Sequence, residues 1–311
     1  MSAAEPASPS PSRLRLALTL VAVAAAGNLA ALALPFMSLR MGLSRDDMGL
    51  FHTVRMLVDS GMWPLAAVVV VFSVVFPFAK LGILAWVAAG ARRSGAHLAA
   101  LGWVERLGRW SLLDVYIVCA LIALCSEQWL VGAQPRIGLG CFTIAVVLSM
   151  LAGEVLSAGL PAHPQTPPVN RGAAWGVLAL RTALLASALA VPFLRIDDWL
   201  LNDRDVGLAA LVAGPATQGA PGVAAVLALT LVLVPALALL AEAARLAGRP
   251  WPRLAGWCAR WNGLDVFAAA LVILIIEAQT LMSTRLQGGA AALVALLIAE
   301  RAIALVRRPS A

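Results

Sequence analysis

Long apolar runs separated by short polar ones dominate this chain. Continuous apolar stretches fall near residues 15–37, 64–90, 110–130, 138–158, 174–196, 222–247, 262–283 and 289–306. An α-helix needs about 20 apolar residues to cross a bilayer's hydrocarbon core. The runs are continuous, whereas barrel strands alternate between apolar and polar positions. The pattern therefore predicts an all-α integral membrane protein with eight transmembrane helices, and no strands are expected. Composition agrees, with 61% apolar residues, 13% charged residues and a mean hydropathy of +0.89. Little polar sequence is left for a large water-soluble catalytic domain.

The two halves of the chain echo each other. Leu34-Pro35-Phe36 after the first run recurs as Val191-Pro192-Phe193, and Asp47-Met48-Gly49-Leu50 recurs as Asp205-Val206-Gly207-Leu208. Pro77 in the second run matches Pro235. The longest match sets Arg109-Trp110-Ser111-Leu112-Leu113-Asp114-Val115-Tyr116 against Arg260-Trp261-Asn262-Gly263-Leu264-Asp265-Val266-Phe267. An even number of helices per copy makes the copies point the same way, as parallel repeats. The expected organisation is a disordered cytoplasmic head (1–13), a four-helix unit (14–158), a Pro-rich cytoplasmic linker (159–173), a second four-helix unit (174–306) and a cytoplasmic tail (307–311).

Charge sets the orientation. The net charge is +7, and about fourteen arginines fall in one set of loops against about seven in the other. Basic residues favour the cytoplasm, so both termini are expected inside and the first run is expected to stay as an uncleaved anchor. The basic clusters flank apolar runs, which argues for topology and against nucleic acid as a partner. The long loop after the first helix carries Leu50, Val54, Leu57 and Val58 on one helical face, with Arg55 and Asp59 off it. That spacing predicts a short helix, either lying on the outer membrane surface or packing on the bundle.

Ionisable groups inside membrane segments are costly and are first candidates for function. Lys80 follows Pro77 by three residues, and Asp114 lies about one turn inside the third helix, at a depth that suits a Lys80–Asp114 pair. Asp265 repeats Asp114, whereas Ala238 stands where the second half needs a lysine. The competing readings are a structural pair, snorkelling of Lys80, and helix N-terminal capping by the two aspartates. Glu242 is expected to be neutralised by Arg245. Glu154 is expected to reach headgroups or water. Pro77 and Pro235 each free a backbone carbonyl and are expected to shape a cavity between helices. Cys119, Cys125, Cys141 and Cys258 form no CxxC pair and read as packing residues. No HExxH, P-loop, GxSxG or dinucleotide fingerprint is present. No enzymatic activity, metal or cofactor is expected.

The paired Trp-Ser-Leu-Leu-Asp-Val-Tyr and Trp-Asn-Gly-Leu-Asp-Val-Phe elements resemble the paraquat-inducible protein A (PqiA/LetA) family. So do Leu34-Pro35-Phe36-Met37 and Ser60-Gly61-Met62-Trp63-Pro64-Leu65 running into Phe76-Pro77-Phe78-Ala79-Lys80-Leu81. The resemblance covers nearly all of residues 14–306 and is stronger in the first half. It implies an inner-membrane protein of Gram-negative bacteria that moves phospholipid across the envelope with a periplasmic MCE-domain partner of the PqiB/LetB type. By the same resemblance, Lys80, Asp114 and Asp265 form a polar network inside the bundle, and Asp47, Gly49, Asp205 and Gly207 lie in the periplasmic loops. The chain departs from the family in lacking CxxC zinc ribbons ahead of each unit and in lacking the second lysine. The rival readings are a non-transporting scaffold that anchors the partner and a small-solute or proton-linked carrier.

Overall fold

The computed structural model describes residues 10–41, 44–61, 63–90, 95–125, 131–158, 171–196, 204–278, 284–286 and 288–306. The expectations for most of the head and linker and for the whole tail fall outside the described residues. Six helices are long and apolar enough to cross a membrane: Pro11–Ala33, Val71–Ala89, Ile137–Ser157, Gly172–Ala190, Pro221–Leu246 and Pro252–Ile276. The chain is an all-α membrane protein in its spanning part. The runs expected as third and eighth spans contain the helices Leu113–Cys125 and Gly288–Val306.

Helix α1 (Pro11–Ala33) begins at a proline, whose missing N–H costs nothing in a first turn. It buries Ala17, Val21, Ala24, Asn28 and Ala31, spaced alternately by four and three residues. This mostly small stripe packs on α7 (Ile137–Ser157), and a Cβ at Gly27 would stand 3.1 Å from the Ala145 Cβ. Small residues let helix backbones approach closely where lipid provides no hydrophobic drive to associate.

Between them, the first half runs β1 (Pro35–Met41), β2 (Ser44–Gly49), α2 (Leu50–Asp59), α3 (Trp63–Val70), a π-helical segment Val71–Val75, and α4 (Phe76–Ala89). It continues with α5 (Gly95–Leu107), a 3₁₀ turn Gly108–Leu112, α6 (Leu113–Cys125) and β3 (Val131–Pro135) before α7. The second half runs α8 (Arg171–Ala190), β4 (Leu194–Ile196), β5 (Arg204–Val206), α9 (Leu208–Thr217) and α10 (Pro221–Leu227). A π-helical segment Ala228–Leu233 follows, then α11 (Val234–Leu246), α12 (Pro252–Trp261), α13 (Leu264–Ala278), β6 (Thr284–Leu286) and α14 (Gly288–Val306).

The segments expected to be strand-free loops contain strands. β1 lies between β2 and β3 in one antiparallel sheet, and β4 lies between β5 and β6 in another. These strands are short, mix polar with apolar residues and take their third member from far along the chain, so no local alternation marks them. The helix expected after Gly49 is present as α2. Its Leu50 and Leu57 are buried against the bundle, whereas Arg55 and Asp59 pair on the exposed side at 3.8 Å. α5 leads into α6 through the 3₁₀ turn Gly108–Leu112, and α12 leads into α13 through Asn262 and Gly263.

One hydrophobic cluster runs through both halves, with α6 packed on α13 at its centre. Tyr116 and Phe267 meet there edge to face, with centroids 5.8 Å apart. A second cluster joins α1, α4, α5 and α7 of the first half through Ala17, Leu84, Leu101 and Leu156. Pro77 and Pro235 are buried at the starts of α4 and α11, each just after a π-helical segment. The wider π turn accommodates the break in the hydrogen-bond ladder that proline imposes.

Candidate functional site

Lys80 is the only lysine in the chain, and it is 2% exposed. Its Nζ donates to the Gly108 carbonyl oxygen at 3.1 Å. That carbonyl lies just past the end of α5, where helix carbonyls lack partners and carry partial negative charge. The structure therefore satisfies the buried ammonium at a helix C-terminus and does not bring Lys80 and Asp114 into an ion pair. Ser73, buried in the first π-helical segment, lies beside the Asp114 carboxyl group. Asp114 Oδ2 is buried without a hydrogen-bond partner among the described residues. Matching the depths of Lys80 and Asp114 had suggested a pair, but depth does not fix the direction in which each helix presents its side chain.

The second half solves the same problem differently. Register with Arg109 and Arg260 makes Ala259 the counterpart of Gly108. The Ala259 carbonyl accepts a hydrogen bond from Arg109 Nη1 of the first half at 3.3 Å. Arg109 also donates to the Asn262 carbonyl and forms an ion pair with Asp265 at 2.9 Å. An arginine reaching across from the other half thus occupies the role that Ala238 cannot fill. Asp265 Oδ1 accepts the Val266 N–H, and Asn262 Oδ1 accepts the Leu264 N–H, so both help close the first turn of α13.

Arg260 reaches in the opposite direction. Its Nε and Nη2 bind the two Glu154 oxygens at 2.6 and 2.7 Å, and Trp261 Nε1 donates to Glu154 at 3.2 Å. Glu154 was expected to reach headgroups or water, and it is instead held in a bidentate contact with the other half. A cavity of about 30 Å³ lies beside this contact, and its lining includes Lys80, Gly108, Arg109, Ser149, Glu154 and Arg260. Glu242 and Arg245 pair within α11 at 2.7 Å, as their spacing suggests.

Nearer the centre of the bundle, the Tyr116 hydroxyl donates to Thr230 Oγ1 at 2.9 Å, and the Thr230 hydroxyl donates to the Val226 carbonyl. The Gly263 N–H donates to the Thr230 carbonyl at 3.3 Å. In π register, the N–H of residue 235 would serve that carbonyl. Residue 235 is proline, so Gly263 supplies the missing donor.

At the opposite end, Asp47 accepts two hydrogen bonds from Arg136, at 3.2 and 3.1 Å, beside the first sheet. Gly49 and Gly207 are the N-cap residues of α2 and α9. Both have ordinary extended backbones, and a Cβ at Gly49 would meet nothing within 4 Å. Asp205 lies in β5, and its side chain falls outside the described residues. Gly138 and Gly289, which no sequence motif marks, are the glycines at which a Cβ would overlap backbone atoms. A Cβ there would overlap the backbone at Leu34 and Pro35, or at Val191 and Pro192. Their equal placement in the two halves was the available signal. Among the described residues, no group of three His, Cys, Asp or Glu is placed to hold a metal ion.

The profile of the paraquat-inducible protein A family matches residues 14–160 and again residues 173–309. The chain belongs to this family. Curated relatives include the intermembrane transport protein PqiA of Escherichia coli K12 and that of Shigella flexneri, each 30% identical over 130 residues. The aligned stretch covers 40% of this chain and 31% of each relative, so the chain matches about a third of their length. No solved structure matches it significantly. Each matched region contains one copy of the Arg-Trp-x-x-Leu-Asp-Val element, and the arginine of each copy reaches into the other half.

Proposed function

We propose that this chain is an inner-membrane subunit of a phospholipid transport system of the bacterial envelope, passing lipid to or from a periplasmic MCE-domain partner. The family match across both halves carries the reading, supported by the intermembrane transport named for the curated relatives. In this reading, the chain forms eight crossings in two parallel four-helix units (14–158 and 174–306), with both termini cytoplasmic. The recurring order of elements supports two units, and the arginine bias supports the orientation. The sheets and Asp47, Gly49, Asp205 and Gly207 then face the partner. Pro77 and Pro235 shape the space between units.

Protonation of a network comprising Lys80, Asp114 and Asp265 is coupled to opening of the cavity. Its links are indirect, through the Gly108 carbonyl, Ser73 and Arg109. The test is complementation of a strain that depends on this pathway with Lys80→Met and Asp114→Asn separately, reading envelope integrity at matched protein levels. Loss of integrity, together with bound phospholipid in the purified native protein, is the expected result. Full integrity in both variants would overturn the role of these residues.

The contacts of Lys80 and Asp265 also favour a second reading, because each is held in a way that needs no cargo. In that reading, the chain anchors the partner without carrying lipid. A Lys80→Met, Asp114→Asn, Asp265→Asn triple variant that keeps function would support it.

A further inference from the structure

Two ion pairs cross between the halves where α6 and α13 begin, and they run in opposite directions. Arg109 of the first half binds Asp265 and the carbonyls of Ala259 and Asn262 in the second. Arg260 of the second half binds Glu154 of the first through both carboxylate oxygens. Arg109 lies in the 3₁₀ turn and Arg260 in α12, so moving either half outward would pull on both pairs. The pairs are partly solvent-accessible, with side-chain exposures of 24% and 20% for Arg109 and Asp265 and 35% and 21% for Arg260 and Glu154.

Both arginines and Glu154 also line the cavity that holds Lys80. At about 30 Å³ this cavity has room for no more than a few waters. Other wall residues include Glu105, Ser149 and Gly153. Away from this wall Lys80 is enclosed by its own half, because it is buried in α4 and donates to Gly108. The pairs stand at the wall of this half-open pocket, so their separation would widen it over the ammonium.

We propose that Arg109–Asp265 and Arg260–Glu154 are the two latches of a gate that keeps Lys80 buried at the floor of this half-open pocket, and that their parting exposes the amine to solvent. The gate concerns solvent access and does not depend on what the chain carries. Breaking one latch leaves the other in place, so opening requires both to part.

Because Lys80 is the only lysine, its accessibility can be read in the full chain without an introduced label. The probe is the rate of acetylation of the Lys80 amine in nanodisc-embedded protein, resolved by peptide mass mapping. A second probe is Ser149→Cys, followed with an anionic thiosulfonate and resolved the same way. Both rates should be slow in the native gate. They should rise at least about tenfold in Glu154→Gln, Asp265→Asn, the effect of losing charged hydrogen bonds worth over 1 kcal/mol. In a chain carrying Asp265→Asn throughout, Arg260→Glu with Glu154→Arg re-forms one latch and should slow both probes again.

High salt should speed both probes in the native chain, since partly exposed pairs are screened. This measurement needs no latch substitution to fold. Rates that ignore both salt and the latch substitutions, or that are already fast in the native chain, overturn the gate. A rise at Lys80 alone also overturns it, because that reports an altered amine charge and no opening.

Discussion

The Tyr116 hydroxyl occupies the space that a side chain on Gly263 would fill. In the repeated motif, Tyr116 corresponds to Phe267, and Gly263 corresponds to Leu112. The two departures from the repeat answer each other. The half that gains a hydroxyl requires the other half to lose a side chain, and the Gly263 N–H freed for approach reaches the Thr230 carbonyl.

Gly263→Ala should therefore destabilise the protein by about 1–3 kcal/mol through overpacking. Tyr116→Phe alone should cost about 0.5–1.5 kcal/mol, the net value of one hydrogen bond. Combining the two should recover part of the alanine's cost, giving a coupling energy of about 1 kcal/mol or more. Equilibrium unfolding in detergent micelles reads all three, and strict additivity would count against the packing relationship.

Gly138→Ala and Gly289→Ala should each lower the melting temperature strongly, because the new methyl group meets backbone carbonyls that cannot rotate aside. Gly49→Ala should stay within about 0.5 kcal/mol of the native protein, as expected of a substitution that meets nothing. Side-by-side thermal melts of the three variants test this contrast.

Lys80→Met keeps most of the side chain's volume and removes the donor to Gly108. A buried carbonyl left without its partner costs about 1–3 kcal/mol, so the variant should melt earlier while remaining folded. An unchanged melting temperature would show that the Gly108 carbonyl finds another partner.

The Asp47–Arg136 contact should contribute little to stability. The Asp47 side chain is 53% exposed, and exposed pairs are worth about 0–1 kcal/mol. Asp47→Ala should shift the melting temperature only slightly, and 1 M salt, roughly seven times physiological ionic strength, should remove even that shift. Any larger effect of Asp47→Ala on complementation would then be read as a contact outside this chain.

Apolar runs and motif register carried much of the architecture. The runs located the apolar helices, the spacing of Leu50, Val54, Leu57 and Val58 located α2, and the Glu242–Arg245 pair followed from helical geometry. Three kinds of feature had no such signal. The strands of the two sheets are short and mixed in polarity, and each sheet takes its third strand from far along the chain, so nothing nearby marks them. Helices α5 and α12 lie in mixed sequence that resembles a loop. The partners of buried charges depend on helix rotation, which a depth estimate does not contain: Lys80 meets a carbonyl, and Glu154 meets Arg260. The compensation of Ala238 by Arg109 needed both halves in view, because the residue that replaces the missing lysine comes from the other copy of the motif.

The alanine stripe of α1 has a further consequence for how the protein is made. It packs on α7, and Met37 of β1, just after α1, pairs with Pro135 of β3, just before α7. Synthesis delivers α1 first and α7 last within the first half. Until Ile137–Ser157 has been inserted, α1 has α4 beside it but lacks the helix on which its small-residue stripe packs. A nascent chain arrested before α7 thus holds a first helix whose closest-packing face still meets lipid.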